Sequence, residues 1–365
     1  MKTIIISVTN DLVADQRIHK VAMSLCKMNY CPILVGRLLQ NRKPLLRPYP
    51  TKRFSLLFKK GFFFYAEYNL RLFFYLLFAK ADVFLSNDLD TLTANFLASR
   101  IRHKKLVYDS HEFFTEVPEL LRKKTIKKIW SKIEALIMPK LKTGYTVSES
   151  IADAYFEKYG IKMKVVRNLP MRKKTLDTEP IVFPFVKKNE KVIYYQGALN
   201  MGRGLEHVIK AMKFIKSAKL IIVGEGDISK ELRRLTIVEH VSERVIFLGR
   251  ICFEKLYAYT RSADIGICLE ENLGLNYYYS LPNKLFDYIQ ANVPILASPF
   301  PEVKKIVNGF DIGELIEKHS AQHIAEKINS MIASEEKIQK WKKNLKKAAE
   351  ELCWENEEIK LKTIF

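Results

Sequence analysis

A chain of 365 residues with 48% hydrophobic and 28% charged residues has the composition of a folded protein, and its length suits two domains better than one core. The 61 Lys and Arg against 40 Asp and Glu leave a formal net charge of +21, which favours anionic partners over neutral ones without choosing between polyanions and membrane surfaces. Cys26, Cys31, Cys252, Cys268 and Cys353 have neither metal-ligand spacing nor the density of a disulfide scaffold, so a reducing cytoplasm is expected.

The opening MKTIIISVTNDLVADQR holds an apolar run too short for a signal peptide, and it reads as a buried strand at 4–8 with no export expected. A helix at 15–29 follows, then a strand at 32–35, a helix at 61–79 and a strand at 83–86. The stretch 60–80 is very apolar, but Glu67, Asn69 and Arg71 interrupt it, so a membrane-spanning helix is not expected. A helix at 88–101, a strand at 106–108, a helix at 122–138 and a strand at 144–147 continue the alternation, which predicts a parallel sheet covered on both faces. Residues 169–190, with Pro170, Pro180 and Pro184 among mixed charges, read as a linker.

The second half restarts the rhythm. Strands are expected at 191–196, 219–223, 245–248, 265–269 and 294–297, and helices at 203–216, 228–236, 253–262, from about 281, and at 321–334. The Lys- and Glu-rich 335–365 carries Trp341 and Trp354 as anchors. The expected organisation is an N-terminal domain 1–168, the linker, a C-terminal domain 191–340, and a helix 341–365 packing back towards the N-terminal domain. The fold class is α/β, two doubly wound, Rossmann-like domains, in which ligands sit beyond the carboxyl ends of the strands.

Residues just after strands therefore carry the most weight. Gly197 to Gly204 form a strand-to-helix turn whose glycines let backbone approach a ligand, and Arg203 at the expected helix start can fork two phosphate oxygens; an ordinary structural turn is the alternative. Gly224-Glu225-Gly226 and Gly249-Arg250 end the next strands and can border a nucleotide, the second facing the edge of a base. In 270–302, a helix starting near Ser280 or Leu281 offers unpaired N–H groups to an anion; Lys284 adds a charge in its first turn and Asp287 can take ribose hydroxyls. An amphipathic helix feeding a core strand is the plain alternative.

In the first half, Tyr108-Asp109-Ser110-His111-Glu112 ends a buried strand. His111 is the leading catalytic candidate, a neutral imidazole able to donate to a sugar hydroxyl or relay a proton, with Asp109 or Glu112 setting its tautomer. Asp15 and Arg17 after the first strand are candidates for acceptor binding, with helix capping as the alternative for Asp15, and Asn87 and Asp88 are acceptor candidates after the 83–86 strand. Asp88 and Asp90 have the spacing of a divalent-metal pair, but they read as a helix cap and first turn, so no metal is expected. Eleven aromatics between Phe54 and Phe78, with Lys52, Arg53, Lys59 and Lys60, suit an anionic membrane surface. So does the helix 122–142, which carries Arg122, Lys123, Lys124, Lys127, Lys128, Lys132, Lys140 and Lys142, with Trp130, Ile133 and Ile137 inward. A core of aromatics under a solvated basic face is the alternative.

The turn Gly197-Ala198 with Arg203-Gly204, the Gly224-Glu225-Gly226 turn and the 270–302 stretch together resemble the GT-B glycosyltransferases of family 4, over nearly the whole chain. The resemblance implies two domains facing across a cleft, a retaining and metal-independent reaction, and a nucleoside diphosphate sugar bound by the second domain. In that family a Gly-Arg turn followed by Lys-Gly, a Gly-x-Gly turn and a Glu-x7-Glu element hold the donor. Here Arg203 stands where the Lys would be, Asp287 where the second Glu belongs, and Tyr279 eight positions before it, while Pro282-Asn283-Lys284 is similar to a subgroup with Asn-Lys-Leu-Phe before the acid. By the resemblance Arg203 and Lys284 neutralise the diphosphate and Asp287 holds ribose. Glu271, ahead of Gly274-Leu275, replaces the first Glu near the donor sugar, and His111 matches the catalytic-loop His.

The leading expectation is a cytoplasmic glycosyltransferase, peripheral on the inner face of the membrane. It would move a sugar from a UDP-sugar or another nucleoside diphosphate sugar to a lipid-linked or glycan acceptor in cell-surface polysaccharide synthesis, with no cofactor. The alternatives are a nucleotide-sugar 2-epimerase on the same fold and a basic nucleic-acid-binding protein, although no nucleic-acid module supports the last.

Overall fold

The computed structural model describes residues 1–13, 15–39, 44–121, 123–173 and 178–365. The chain divides into two compact units, Met1–Asn168 with Glu357–Phe365, and Leu169–Asn356. Arg122 and residues 174–177 of the expected linker lie outside the described residues.

The first unit is built on seven strands, β1 (Lys2–Ser7), β2 (Tyr30–Arg37), β3 (Thr51–Phe54), β4 (Val83–Asn87), β5 (Lys105–Ser110), β6 (Gly144–Thr146) and β7 (Lys164–Val165). They pair in parallel in the order β3-β2-β1-β4-β5-β6-β7. Ile4, Ile5 and Ile6 of β1 are all fully buried, so this strand is covered on both faces, as a continuous β-branched run requires. The helices are α1 (Gln16–Lys27), α2 (Phe62–Phe78), α3 (Leu89–Ile101), the short α4 (Pro118–Leu121), α5 (Lys124–Ile137) and α6 (Glu149–Tyr159). Asp15 starts α1 by accepting the Ile18 N–H at 3.0 Å. The strand order reverses between β1 and β4, which makes the carboxyl ends of β1, β4 and β5 the place where a doubly wound sheet holds its ligand.

The second unit repeats the architecture with six parallel strands, β8 (Lys191–Gln196), β9 (Ala218–Val223), β10 (Val245–Gly249), β11 (Ile265–Cys268), β12 (Ile295–Ala297) and β13 (Gly313–Leu315), in the order β10-β9-β8-β11-β12-β13. Its helices are α7 (Leu205–Ala211), α8 (Ser229–Val238), α9 (Phe253–Arg261), α10 (Leu275–Tyr278), α11 (Asn283–Gln290), α12 (Pro301–Phe310), α13 (Ala321–Ala333), α14 (Glu335–Glu351) and α15 (Trp354–Glu357). The order reverses between β8 and β11.

Several elements differ from the sequence reading. Strand β3, helix α6, helix α12 and strand β13 were not anticipated, and the basic helix begins at Lys124. Helix α7 begins at Leu205, so Arg203 precedes it rather than opening it, and α11 begins at Asn283 after Pro282, later than Ser280 or Leu281. Leu169 and Phe183, in the stretch read as linker, are buried in the core of the second unit with Val192 and Leu285. Helix α14 starts six residues before 341 and packs on α11, α12 and α13 within that unit. Only Glu357–Phe365 belongs to the first unit, where Tyr30 Oη donates to the Phe365 carbonyl at 2.9 Å and Lys105 Nζ to that of Ile364 at 2.7 Å.

Candidate functional site

The carboxyl ends of β4 and β5 in the first unit bring four charged side chains together. Asp109 is fully buried and receives a fork from Arg17 in the first turn of α1, with Nη2 donating to Oδ1 at 2.8 Å and Nε to Oδ2 at 3.3 Å. The third arm of the guanidinium donates to the Val166 carbonyl at 3.1 Å. His111 Nε2 lies 3.0 Å from Asp109 Oδ2 and Nδ1 lies 3.3 Å from Asp88 Oδ2, while the His111 N–H donates to Asp88 Oδ1 at 2.8 Å.

A carboxylate on each ring nitrogen suits a ring that donates from both, so this is an imidazolium rather than the expected neutral imidazole. Burial opposes the charge, but Asp88 and Asp109 outweigh it and hold the His111 pKa at about 9. Burial likewise works against ionised Asp109, and Arg17 and His111 bring it down to about 2. Asp88 goes the other way, raised by burial to about 7 against the pull of His111, and burial raises Asp90 to about 6.

Asp88 occupies the N-cap position of α3, yet its side chain makes no capping bond, and its backbone sits at φ 57°, ψ 169°. That conformation is strained for a residue with a Cβ. The cap read from the sequence is therefore replaced by a grip on His111. Asp90 does lie in the first turn of α3, where its carboxylate accepts from Thr9 Oγ1 at 2.5 Å. Of the four acceptor candidates, Arg17 and Asp88 meet at the Asp109–His111 pair. Asp15 serves as the α1 cap, and Asn87 is buried with its amide donating to the Ser7 carbonyl at 3.0 Å. Among the described residues no group of three or more His, Cys, Asp or Glu is placed to hold a metal ion.

In the second unit the ends of β8, β9 and β11 meet without intervening side chains. A Cβ on Gly224, at φ 130°, would lie 1.9 Å from the Gly197 carbonyl oxygen, and one on Gly204, at φ 72°, 2.0 Å from that of Leu269. Two residues past Cys268, the last residue of β11, stands Glu270, only 2% exposed and not among the site residues expected from the sequence. Lys284 Nζ lies 2.5 Å from its Oε1 and Arg203 Nη1 lies 3.5 Å from the same oxygen, while the Cys268 thiol donates to Oε2 at 3.3 Å. Tyr195 lies under Lys284, with the ammonium 4.5 Å from the ring centre, and Tyr277 lies under Arg203 at 4.8 Å. Burial works against all three charges, but their mutual attraction raises the Lys284 and Arg203 pKa values and lowers that of Glu270.

The two cations expected to await a diphosphate are thus held by one buried carboxylate, and the cluster keeps one net positive charge beside the first turn of α11. Arg203 Nε has no hydrogen-bond partner. Asp287, one turn into α11, accepts from Gln196 Nε2 at 2.7 Å at the end of β8, and Gln196 in turn accepts from Thr260 Oγ1 at 2.7 Å.

Glu271 faces away from this cluster. Its N–H donates to the Gly202 carbonyl at 2.9 Å and its Oε2 is 3.7 Å from His207 Nε2. Strand parity separates the two glutamates, because 268 and 270 share one face of the chain after β11 and 271 falls on the other. Glu225 pairs with Arg233 at 3.1 Å, and a hydrogen bond to the Ser229 hydroxyl, then Arg233 and Arg250, hold its carboxyl below the usual range. Gly274, at φ 135°, precedes α10, which opens with the partly exposed Leu275; Asn283 opens α11 on the surface, and Arg250 is exposed after β10.

Residues 177–348, just under half the chain, match the family model described as Glycosyl transferases group 1. An uncharacterised glycosyltransferase of Methanocaldococcus jannaschii is 36% identical over 83 residues, 22% of this chain and 21% of that protein, so the match spans about a fifth of the relative's length. Among solved structures, sucrose-phosphate synthase from Thermosynechococcus elongatus aligns with a TM-score of 0.80 at 17% identity, over 100% of this chain and 98% of that one. Anabaena HepE in complex with UDP and glucose aligns with a TM-score of 0.74 at 15% identity, over 100% and 99%. At such identities the likeness shows the fold. The chain has the two-domain α/β fold of the GT-B glycosyltransferases, and the greater part of its second unit matches the glycosyl transferases group 1 family.

Proposed function

We propose that the chain is a retaining, metal-independent glycosyltransferase. Its donor is a UDP-sugar and its acceptor a lipid-linked or other glycan in cell-surface polysaccharide synthesis, at the inner, anionic face of the cell membrane. The observation that carries the donor assignment is the Arg203–Glu270–Lys284 cluster beside the first turn of α11. A leaving diphosphate gains negative charge as the sugar bond breaks, and preset cations and helix N–H groups stabilise that charge without reorganising. Arg203 is a quarter exposed and meets Glu270 through Nη1, at 3.5 Å, which leaves guanidinium N–H groups to turn towards a phosphate. Asp287, steadied by Gln196, suits ribose hydroxyls, and the HepE complex with UDP and glucose supports a UDP donor.

In the first unit the Asp88 and Asp109 carboxylates fix His111 as a cation, so the group offered to a hydroxyl is the edge of the Asp88–His111 pair, whose side chains are 21% and 20% exposed. Front-face attack then retains the anomeric configuration: the acceptor oxygen bonds to the sugar carbon as the bond from that carbon to the phosphate oxygen breaks, and the nucleoside diphosphate leaves with the electron pair and takes up the acceptor's hydroxyl proton on the departing oxygen.

The test presents UDP-, GDP- and ADP-sugars with and without a polyprenyl-linked glycan and measures nucleotide release, alongside UDP calorimetry on Arg203→Ala. Acceptor-dependent release from one donor, with UDP affinity lowered at least tenfold in the variant, is expected. Release from none overturns the reading, and conversion of donor to an epimer without acceptor replaces it with an epimerase.

A further inference from the structure

Helix α2 carries two opposite stripes at four-residue spacing. Phe64, Tyr68, Leu72 and Leu76 are buried in the core of the first unit. Phe62, Ala66, Leu70, Phe74 and Phe78 run along the other side and are exposed, Phe62 by 68%, Leu70 by 59%, Phe74 by 52% and Phe78 by 83%. At about 1.5 Å per residue this second stripe is roughly 24 Å long. A surface helix ordinarily turns polar residues to water, and contiguous exposed apolar patches mark interaction sites.

The loop before the helix extends the face. Glu67, the only carboxylate of α2, accepts the N–H groups of Leu57 at 2.9 Å and Phe58 at 3.0 Å and pairs with Arg71 at 2.8 Å. This pins Leu57, 80% exposed, and Phe58 to the helix start, where the Phe58 and Phe63 rings lie 5.2 Å apart. The exposed Lys59 and Lys60 follow directly, with the Lys59 carbonyl accepting from Arg37. An ordered apolar rim is thus held outward beside two cations, and its one carboxylate is already neutralised by Arg71.

We infer that the outer stripe of α2 and loop 57–60 form a wedge that inserts into an anionic lipid bilayer, the aromatics entering the acyl boundary and Lys59 and Lys60 meeting the headgroups. The inference rests on the membrane-surface reading above. It adds that contact is made by apolar insertion at α2, where the sequence pointed equally to charge on the basic helix α5. A second copy of the chain fits the face poorly, since each copy carries a net charge of +21. No described helix is long and apolar enough to cross a membrane, and the wedge needs to enter only one leaflet.

The full chain is sedimented with vesicles of phosphatidylcholine alone and with about one-third phosphatidylglycerol, at low salt and at about 0.5 M salt, which shortens screening to a few ångströms. Wild type is expected on anionic vesicles with a fraction resisting salt. Phe74→Ser/Phe78→Ser should lose that fraction at least tenfold, Lys59→Gln/Lys60→Gln should lose the salt-sensitive part, and Phe74→Trp should blue-shift its emission on the same vesicles. Salt-resistant binding unchanged in the Phe variant overturns insertion and leaves the membrane reading standing. Binding to neither vesicle overturns both, and a wild-type dimer that the Phe variant dissolves assigns the face to a second copy instead.

Discussion

Asp88 holds His111 at two points, taking its main-chain N–H on Oδ1 at 2.8 Å and facing its Nδ1 from Oδ2 at 3.3 Å. Asp109 holds the opposite ring nitrogen and is itself forked by Arg17, so a chain of alternating charge runs Arg17, Asp109, His111, Asp88. The imidazole has little freedom left, and its charge is fixed by its neighbours more than by its own ordinary pKa.

That arrangement predicts an imidazole titrating well above the ordinary value. His111 is raised from 6.5 to about 9, so the stability it gains from Asp109, which stays ionised down to about pH 2, is fully present below about pH 6.5 and lost as pH rises through about 9. Asp88, raised to about 7, reaches its carboxylate form within the same interval, which sets the charged Asp88–His111 pair between about pH 7 and 9. An NMR titration of the His111 ring should show the raised value in wild type and a lower one in Asp88→Asn. A wild-type midpoint at or below 6.5 would sink the account.

The backbone at Asp88 makes a second prediction. Asp88→Gly and Asp88→Ala delete the same carboxylate, but only glycine is at ease at φ 57°, ψ 169°. The Gly variant should be the more stable of the two by about 1–3 kcal/mol in urea unfolding. Equal midpoints would mean that the strain is relieved elsewhere.

How much of this was readable from the sequence depends on whether the information was local. Runs such as Thr3-Ile4-Ile5-Ile6 and Leu220-Ile221-Ile222-Val223 announce buried parallel strands, and the two-domain rhythm follows from them. The edge strand β3 reads Thr-Lys-Arg-Phe, too polar and short to stand out, and the edge strand β13 is only Gly-Glu-Leu. His111 was visible as a residue after a strand, and Asp109 as its neighbour. The role of Asp88 was not, because it depends on a positive φ and on β4 lying beside β5. Glu270 and Glu271 look interchangeable in a line of text; only strand parity sends one into the core beside Lys284 and leaves the other near the surface.

The buried pair at Lys284 predicts a marked asymmetry between single and double variants. Lys284 is 7% exposed and Glu270 2%, so Lys284→Met strands a buried carboxylate with only the more distant Arg203, at a cost of about 3–5 kcal/mol. Adding Glu270→Gln removes the stranded charge, and the double variant should recover part of that loss. Urea unfolding of the four proteins measures the coupling; strictly additive losses would show that the two charges do not stabilise each other.

Gly204 gives the last prediction, because it links backbone shape to the donor site directly. Its φ of 72° already disfavours a Cβ, and the Cβ of an alanine would fall 2.0 Å from the Leu269 carbonyl oxygen, next to Glu270 in the chain. Gly204→Ala must therefore push apart the Arg203 turn and the end of β11, the two segments that bring Arg203 and Glu270 together. We expect a loss of about 1–3 kcal/mol in stability together with weaker UDP binding by calorimetry. Gly309 in α12 is the contrast: nothing stands within 4 Å of its added Cβ, and its backbone is helical. Gly309→Ala should stabilise by up to about 1 kcal/mol and leave UDP binding unchanged. If both alanines behaved alike, the close approach at Gly204 would not be what sets the donor site.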